Sequence, residues 1–198
     1  MNEAGEPGFR DILRYPQIRA AVLGTFVIML GFGILSPVLP NYAASFGVGY
    51  DAVGLLISSF SFARLVSDPF VGRFIDRYGE RSMVTLGAIM VGASSIAAGL
   101  APTFTLLLVF RAAGGFGSAM FFAALLSYLL RTIPPERTGR VMSVYSMLFQ
   151  GMWRVGIAGQ GLLVAATSAP FAVGLGAVLA LAYGLFAALR WPRIRQLA

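Results

Sequence analysis

Apolar residues fill six long runs of this chain, at about residues 18–38, 52–71, 82–101, 104–130, 139–165 and 170–190, and most charged residues fall between the runs. Each run is close to the ~20 residues that a helix needs to cross a bilayer, so the pattern predicts six transmembrane helices. The second and third runs are separated only by Gly72-Arg73-Phe74-Ile75-Asp76-Arg77-Tyr78-Gly79-Glu80-Arg81. Spans joined so tightly are expected to form an antiparallel helical hairpin. Gly72 and Gly79 would permit close approach and a sharp turn, and Asp76 would accept from a neighbouring helix N-terminus.

Six spans put both chain ends on one side of the membrane, and arginine decides which side, because cytoplasmic loops collect basic residues. Arg10, Arg14 and Arg19 precede or open the first run, and Arg73, Arg77 and Arg81 sit in the second connection. Arg131, Arg137 and Arg140 sit in the fourth, and Arg190, Arg193 and Arg195 end or follow the sixth. The other three connections contain no arginine. Residues 1–17 and 191–198 are therefore expected to be cytoplasmic segments flanking a bundle at 18–190, in the cytoplasmic membrane. Met1 to Tyr15 lacks the basic n-region and small-residue cleavage site of a signal peptide.

Composition agrees with lipid as the solvent: 58% of the 198 residues are hydrophobic and 12% charged, against about 25% charged in soluble domains. The net charge of +7 is carried by arginines that topology already explains, so it gives no argument for nucleic acid. Cysteine and histidine are absent, which removes disulfides, imidazole relays and the usual metal sites. With no paired intramembrane carboxylates either, no constellation for enzymatic acid-base chemistry is present, and neither metal nor cofactor is expected. Small residues recur at spacing four at Ala93, Ala97 and Ala101 and at Gly176, Ala180, Gly184 and Ala188, which reads as two packing stripes. The first run ends in Gly31, Gly33, Pro37 and Pro40, which loosen a helix.

Three arginines lie inside apolar runs: Arg64, Arg111 and Arg154, on the second, fourth and fifth. A central arginine costs at least about 2.5–3.5 kcal/mol on insertion scales, so it normally faces a bundle interior and has a partner. Asp68, four residues after Arg64, is placed to pair with it. Arg111 and Arg154 have no evident acidic partner in the sequence. Either they satisfy backbone carbonyls or reach the interface, or they bind an anionic group with Gln160 and Tyr145 as neutral helpers.

The spacing of Gly72, Asp76, Arg77, Gly79 and Arg81 resembles the signature loop between the second and third helices of major facilitator superfamily transporters. That family usually has a basic residue where this chain has Glu80. Arg111 and Gly115 match the family's fourth-helix motif, with Gly114 in place of its usual polar residue. Residues 133–140 look like the family's fourth connection, and the proline-bearing end of the first run looks like that of its drug-efflux-like branch. Gly156 and Gly161 agree with an antiporter signature in the fifth helix, but Ile157 and Gln160 depart from it, so the support for proton exchange is slight.

The resemblance implies an all-α integral membrane fold in which six transmembrane helices form two inverted three-helix repeats, half of the twelve-helix facilitator fold. It also implies that the first, second, fourth and fifth helices border a central pathway. The chain is thus expected to be the N-terminal half of a secondary transporter of small solutes, efflux among its directions, working with a second six-helix half or as a homodimer. Arg64, Asp68, Arg111, Arg154 and Gln160 are the candidate substrate-pathway residues, and Gly72, Asp76, Arg77, Gly79 and Arg81 the gate. The excess of arginine points to an anionic solute, with protons as the candidate coupling ion. The rival reading is a six-helix membrane scaffold that transports nothing.

Overall fold

The computed structural model describes residues 16–35, 38–132, 138–166 and 169–190. These form seven helices: α1 (Pro16–Leu35), α2 (Val38–Ala44), α3 (Tyr50–Tyr78), α4 (Glu80–Gly99), α5 (Phe104–Thr132), α6 (Thr138–Ala166) and α7 (Ala169–Arg190). Both terminal segments expected to be cytoplasmic, the prolyl step at Ser36-Pro37 and most of the fourth connection lie outside the described residues.

Among the described residues, α4 and α5 are each long and apolar enough to cross a membrane, and α1 with α2 make a third such span if the two are one. In α3 the apolar content is diluted by Ser58, Ser59, Ser61, Arg64, Ser67 and Asp68.

The ten-residue hinge expected between the second and third spans is a single residue. Helix α3 continues through Gly72 to Tyr78, because its buried stripe of Ser67, Val71 and Ile75 extends at helical spacing and leaves the charged positions outside. Gly79 alone separates α3 from α4; its φ of 81° is a conformation that suits glycine, and its N–H donates to the Ile75 carbonyl at 2.8 Å. The expected tight hairpin does not follow. Contacts between α3 and α4 are sparse, while α4 lies along α5 and α7, and α3 along α5. A Cβ on Gly72 would meet nothing within 4 Å, so the close approach expected there is not made within this chain.

Close approach occurs elsewhere, at glycines in the helix centres. A Cβ on Gly87 of α4 would come within 2.6 Å of the Gly117 carbonyl oxygen on α5. A Cβ on Gly31 of α1 would lie 3.3 Å from the Gly176 carbonyl oxygen on α7, and Gly33 and Gly156 meet in the same way between α1 and α6. On α7 the small-residue stripe packs as expected, with Ala180 buried and Gly184 against Ile89. The stripe of the third span packs only at its end: Ala93 is exposed, Ala97 half-buried and Ala101, just past α4, buried, while the main packed face of α4 is Gly87, Ala88, Val91 and Gly92. Spacing four marks a face without saying whether anything covers it.

The principal packed pairs are α4 with α5, α3 with α5, α1 with α6, α1 with α7 and α4 with α7. Exchanging α1 for α5, α3 for α6 and α4 for α7 turns this set of pairs into itself. A main core around Ile28, Val71, Val84, Phe121, Leu125 and Tyr128 draws on both sets of helices. At the other end, α2 caps a second cluster with Leu39 and Ala43 against Leu56, Ala98 and Leu107, and Tyr42 donates to the Gly99 carbonyl at 3.1 Å.

These contacts set the outcome of two substitutions. Gly87→Val is expected to cost about 1–3 kcal/mol by overpacking against α5. Gly72→Ala is expected to be neutral or slightly stabilising, as alanine suits a helix interior better. Thermal unfolding in detergent compares them, and equal effects would show that the α4–α5 contact does not limit stability.

Candidate functional site

A cavity of about 710 Å³ opens between α1, α3 and α6, within the range of small-molecule sites. Its walls are Met29 and Phe32 from α1, Phe60, Arg64, Leu65 and Asp68 from α3, and Phe149, Trp153, Arg154 and Ile157 from α6. A second lobe of about 360 Å³ shares Arg64, Asp68, Phe149 and Gln150 and adds Phe122, Ala123 and Leu126 of α5 with Tyr145 of α6. Among the described residues, neither lobe takes one from α4 or α7.

Helical spacing explains the lining. Phe60, Arg64 and Asp68 on α3, and Tyr145, Phe149, Trp153 and Ile157 on α6, recur every four residues and so share a face. Pro69 supplies no N–H, which leaves the Leu65 carbonyl without its helical donor on the turn that lines the cavity. Phe32 holds two walls together, edge-on to Phe60 at 5.3 Å between centroids and tilted to Trp153 at 6.5 Å.

Three of the five residues expected along a pathway, Arg64, Asp68 and Arg154, meet in this cavity. The Arg64–Asp68 pair expected from their spacing is not formed. The Arg64 guanidinium reaches across to α5 and lies 5.2 Å from the centroid of the Phe122 ring. Asp68 and Arg154 make no ion pair or hydrogen bond among the described residues. Arg111 is not brought to the cavity. Gly115 lets α5 press against the Phe60 backbone, and the Arg111 guanidinium consequently covers the Phe60 ring at 4.7 Å, one side chain back from the cleft. Its Nε is buried without a hydrogen-bond partner. Gln160 belongs to α6, but its side chain lies outside the described ones. Gly114 faces the hydroxyl of Ser94, which approaches where the family's polar side chain would stand. Sequence reasoning passed over Phe32, Phe60, Phe149 and Trp153, although the four-residue spacing on α6 was there to be read.

A second polar cluster lies where α3 meets α4. Arg131, in the last turn of α5, reaches Glu80 Oε1 at 3.0 Å and Asp76 Oδ1 at 3.4 Å, and Ser127 donates to the same Glu80 oxygen at 3.3 Å. The Glu80 side chain is 9% exposed, against 73% for Asp76 and 60% for Arg131. Glu80, the departure from the family pattern, is therefore the better-held partner. It is also the first residue of α4, where a negative charge suits the helix dipole. Asp76 accepts from Arg131 and not from the helix N-terminus expected for it. Arg81 donates to the Ala188 carbonyl in the last turn of α7, satisfying a carbonyl that the helix itself leaves open. The Arg77 guanidinium lies over the Tyr78 ring, 5.4 Å from its centroid.

A family model described as Major Facilitator Superfamily matches residues 21–197. The chain belongs to the Major Facilitator Superfamily. It is accordingly a multi-pass membrane protein of a transport family. Multidrug resistance protein 2 of Bacillus subtilis (strain 168) is 27% identical over 121 residues, 61% of this chain and 30% of that protein. Quinolone resistance protein NorA of Staphylococcus aureus (strain MRSA252) is 26% identical over 140 residues, 71% of this chain and 36% of that protein. The chain thus spans about a third of the length of these curated relatives. The signature-loop resemblance leads to the right superfamily, and both relatives are resistance proteins, in line with the drug-efflux-like end of the first helix.

The polar cluster yields a comparison. Glu80→Ala is expected to cost about 1–3 kcal/mol, because it removes a charge-assisted, largely buried partner of Arg131 and Ser127. Asp76→Ala is expected to cost about 1 kcal/mol or less, as exposed pairs do. Chemical or thermal unfolding of the two variants ranks them, and a larger loss for Asp76→Ala would reverse the assignment.

Proposed function

We propose that this chain forms the N-terminal six-helix half of a secondary transporter that carries small molecules across the cytoplasmic membrane by alternating access. The observation that carries the reading is the cavity lined by α1, α3, α5 and α6, with α4 and α7 outside it. These are the first, second, fourth and fifth long helices, the ones expected along a facilitator pathway. The exchange symmetry of the packed pairs supports two inverted repeats, α1 to α4 and α5 to α7, of the kind on which such transporters are built. Arg64, Asp68 and Arg154 border the pathway in this reading, and Arg111 steadies the Phe60 wall.

Alternating access needs two halves that rock around a shared midplane site. A second six-helix half or a second copy of this chain would close the open side of the cavity. In this reading both ends of the bundle are cytoplasmic, which the segregated arginines support. The Asp76–Arg131–Glu80 cluster then sits at the inner mouth, where Asp76, the exposed acid, is free to change partners as the gate moves. Efflux is the direction suggested by the relatives' names, multidrug resistance and quinolone resistance. Chemistry on the substrate has no place in this reading.

Transport of a fluoroquinolone and of lipophilic dyes into inverted membrane vesicles from cells making the protein tests this function. Vesicles that carry none of them would favour a non-transporting scaffold. In the same assay Asp76→Asn is expected to slow transport by about fivefold or more at equal expression, the size of a coupling of about 1–3 kcal/mol. An unchanged rate would remove Asp76 from the gate. Purified alone in detergent, the chain is expected to dimerise or to unfold readily, since the cavity side is left uncovered; light scattering that gives a stable monomer would contradict this.

A further inference from the structure

The cavity's chemistry narrows what it holds, provided that the transport reading of this same site is right. We infer that its ligand is an aromatic carboxylate. The walls favour a flat ring: Phe32, Phe60, Phe149 and Trp153 surround the larger lobe, and Phe122 and Tyr145 join in the smaller. Rings of this kind stack or meet edge-on with a ligand ring at little conformational cost.

The charges select the sign. Arg64 and Arg154 line the larger lobe with Asp68 as the one acid, which leaves one positive charge in excess among the described lining residues. Arg64 is already held by the Phe122 face. Its planar fork is therefore set before a ligand arrives, and less entropy is lost when it grips one. Arg154 has no partner among the described residues and follows Trp153 directly, so guanidinium and indole enter the cavity from neighbouring positions of α6. A carboxylate accepts two parallel N–H bonds from such a guanidinium, a geometry that an alcohol or an amine lacks.

Alternatives fit less well. An inorganic anion would satisfy the arginines but leave the aromatic walls empty in a cavity of about 710 Å³. A lipophilic cation would fill the walls and gain Asp68, yet would face two guanidinium groups. A neutral aromatic would desolvate both arginines and return no hydrogen bond to them, which is the costly arrangement for buried charge.

Three matched probes separate these cases: 2-naphthoate, 2-naphthalenemethanol and 2-naphthylmethylammonium. Their binding to the protein in membrane vesicles from cells that make it is measured at low ionic strength, with vesicles from cells that lack it as the blank. Naphthoate is expected to bind about tenfold tighter than the alcohol, the worth of one charge-assisted hydrogen bond, and the ammonium weaker than either. Arg154→Ala is expected to reduce naphthoate to the level of the alcohol, and Arg154→Lys to fall between, because an ammonium keeps the charge without the fork. Asp68→Asn is expected to tighten naphthoate binding, because it removes the one acid that lines the cavity among the described residues. Arg154 holds no structural partner among the described residues, so its replacement tests binding and not folding, and Arg154→Gln with an unchanged melting temperature provides the check. Preference for the ammonium, or naphthoate binding that ignores Arg154→Ala, overturns the inference, as does failure of all three probes to bind. Vesicle transport of the same trio keeps the two readings apart. Naphthoate bound through Arg154 but never carried would leave the ligand class standing and refute transport, whereas carriage of the ammonium alone would leave transport standing and refute the class.

Discussion

Helices in hydrocarbon gain nothing by excluding water from one another, so they cohere only as closely as their surfaces permit. In this bundle the limit is set by backbone against backbone. Gly87 meets Gly117, Gly31 meets Gly176, and Gly33 meets Gly156, and a single added carbon at any of these sites would collide or crowd. The three contacts fix how α4 crosses α5 and how α1 crosses α7 and α6. The wall positions of Phe32 on α1 and of Trp153 and Arg154 on α6 follow from the last of them.

Polar groups are then distributed according to what each place can satisfy. Arg64, Arg154 and Asp68 line a large opening, where water or a ligand can reach them. Glu80, nearly buried, is matched by Arg131 and Ser127. Arg81 is spent on the Ala188 carbonyl at the end of α7. Arg111 has the poorest surroundings, an aromatic face and an unbonded Nε, in keeping with its position behind the cavity wall and not in it. The described residues thus form a bundle with a charged, aromatic opening and a separate ionic cluster at the foot of α3.

Those two features differ in a physically plain way. An opening with mobile or unpaired charge can exchange its water for a solute. An ionic cluster with one buried and one exposed acid has a fixed partner and a replaceable one. Glu80 holds Arg131 in place, and Asp76 is the contact that costs little to break. Where the resemblance leads one to expect a base, this chain has Glu80, and the Arg131 guanidinium is shared between two acids.

The order of apolar runs, the approximate positions of the long helices and the superfamily were legible in the chain, and Arg64, Asp68 and Arg154 stood out in it, because lipid demands long apolar segments and makes intramembrane charge rare and therefore conspicuous. What spacing did not reveal was which faces meet. Gly72 looked like a contact and touches nothing, whereas Gly33 and Gly156 lie far apart in the chain and touch each other. Arg64 and Asp68 were in reach along one helix, but a ring from α5 attracted the arginine instead. Glu80 read as a missing cation and proved to be a buried partner of Arg131, 51 positions away in a chain whose two glycine-linked helices diverge at Gly79. Local periodicity is a property of one helix, and pairing is a property of two. Only the tertiary structure, through the crossings that the glycines allow, decided which side chains share a space.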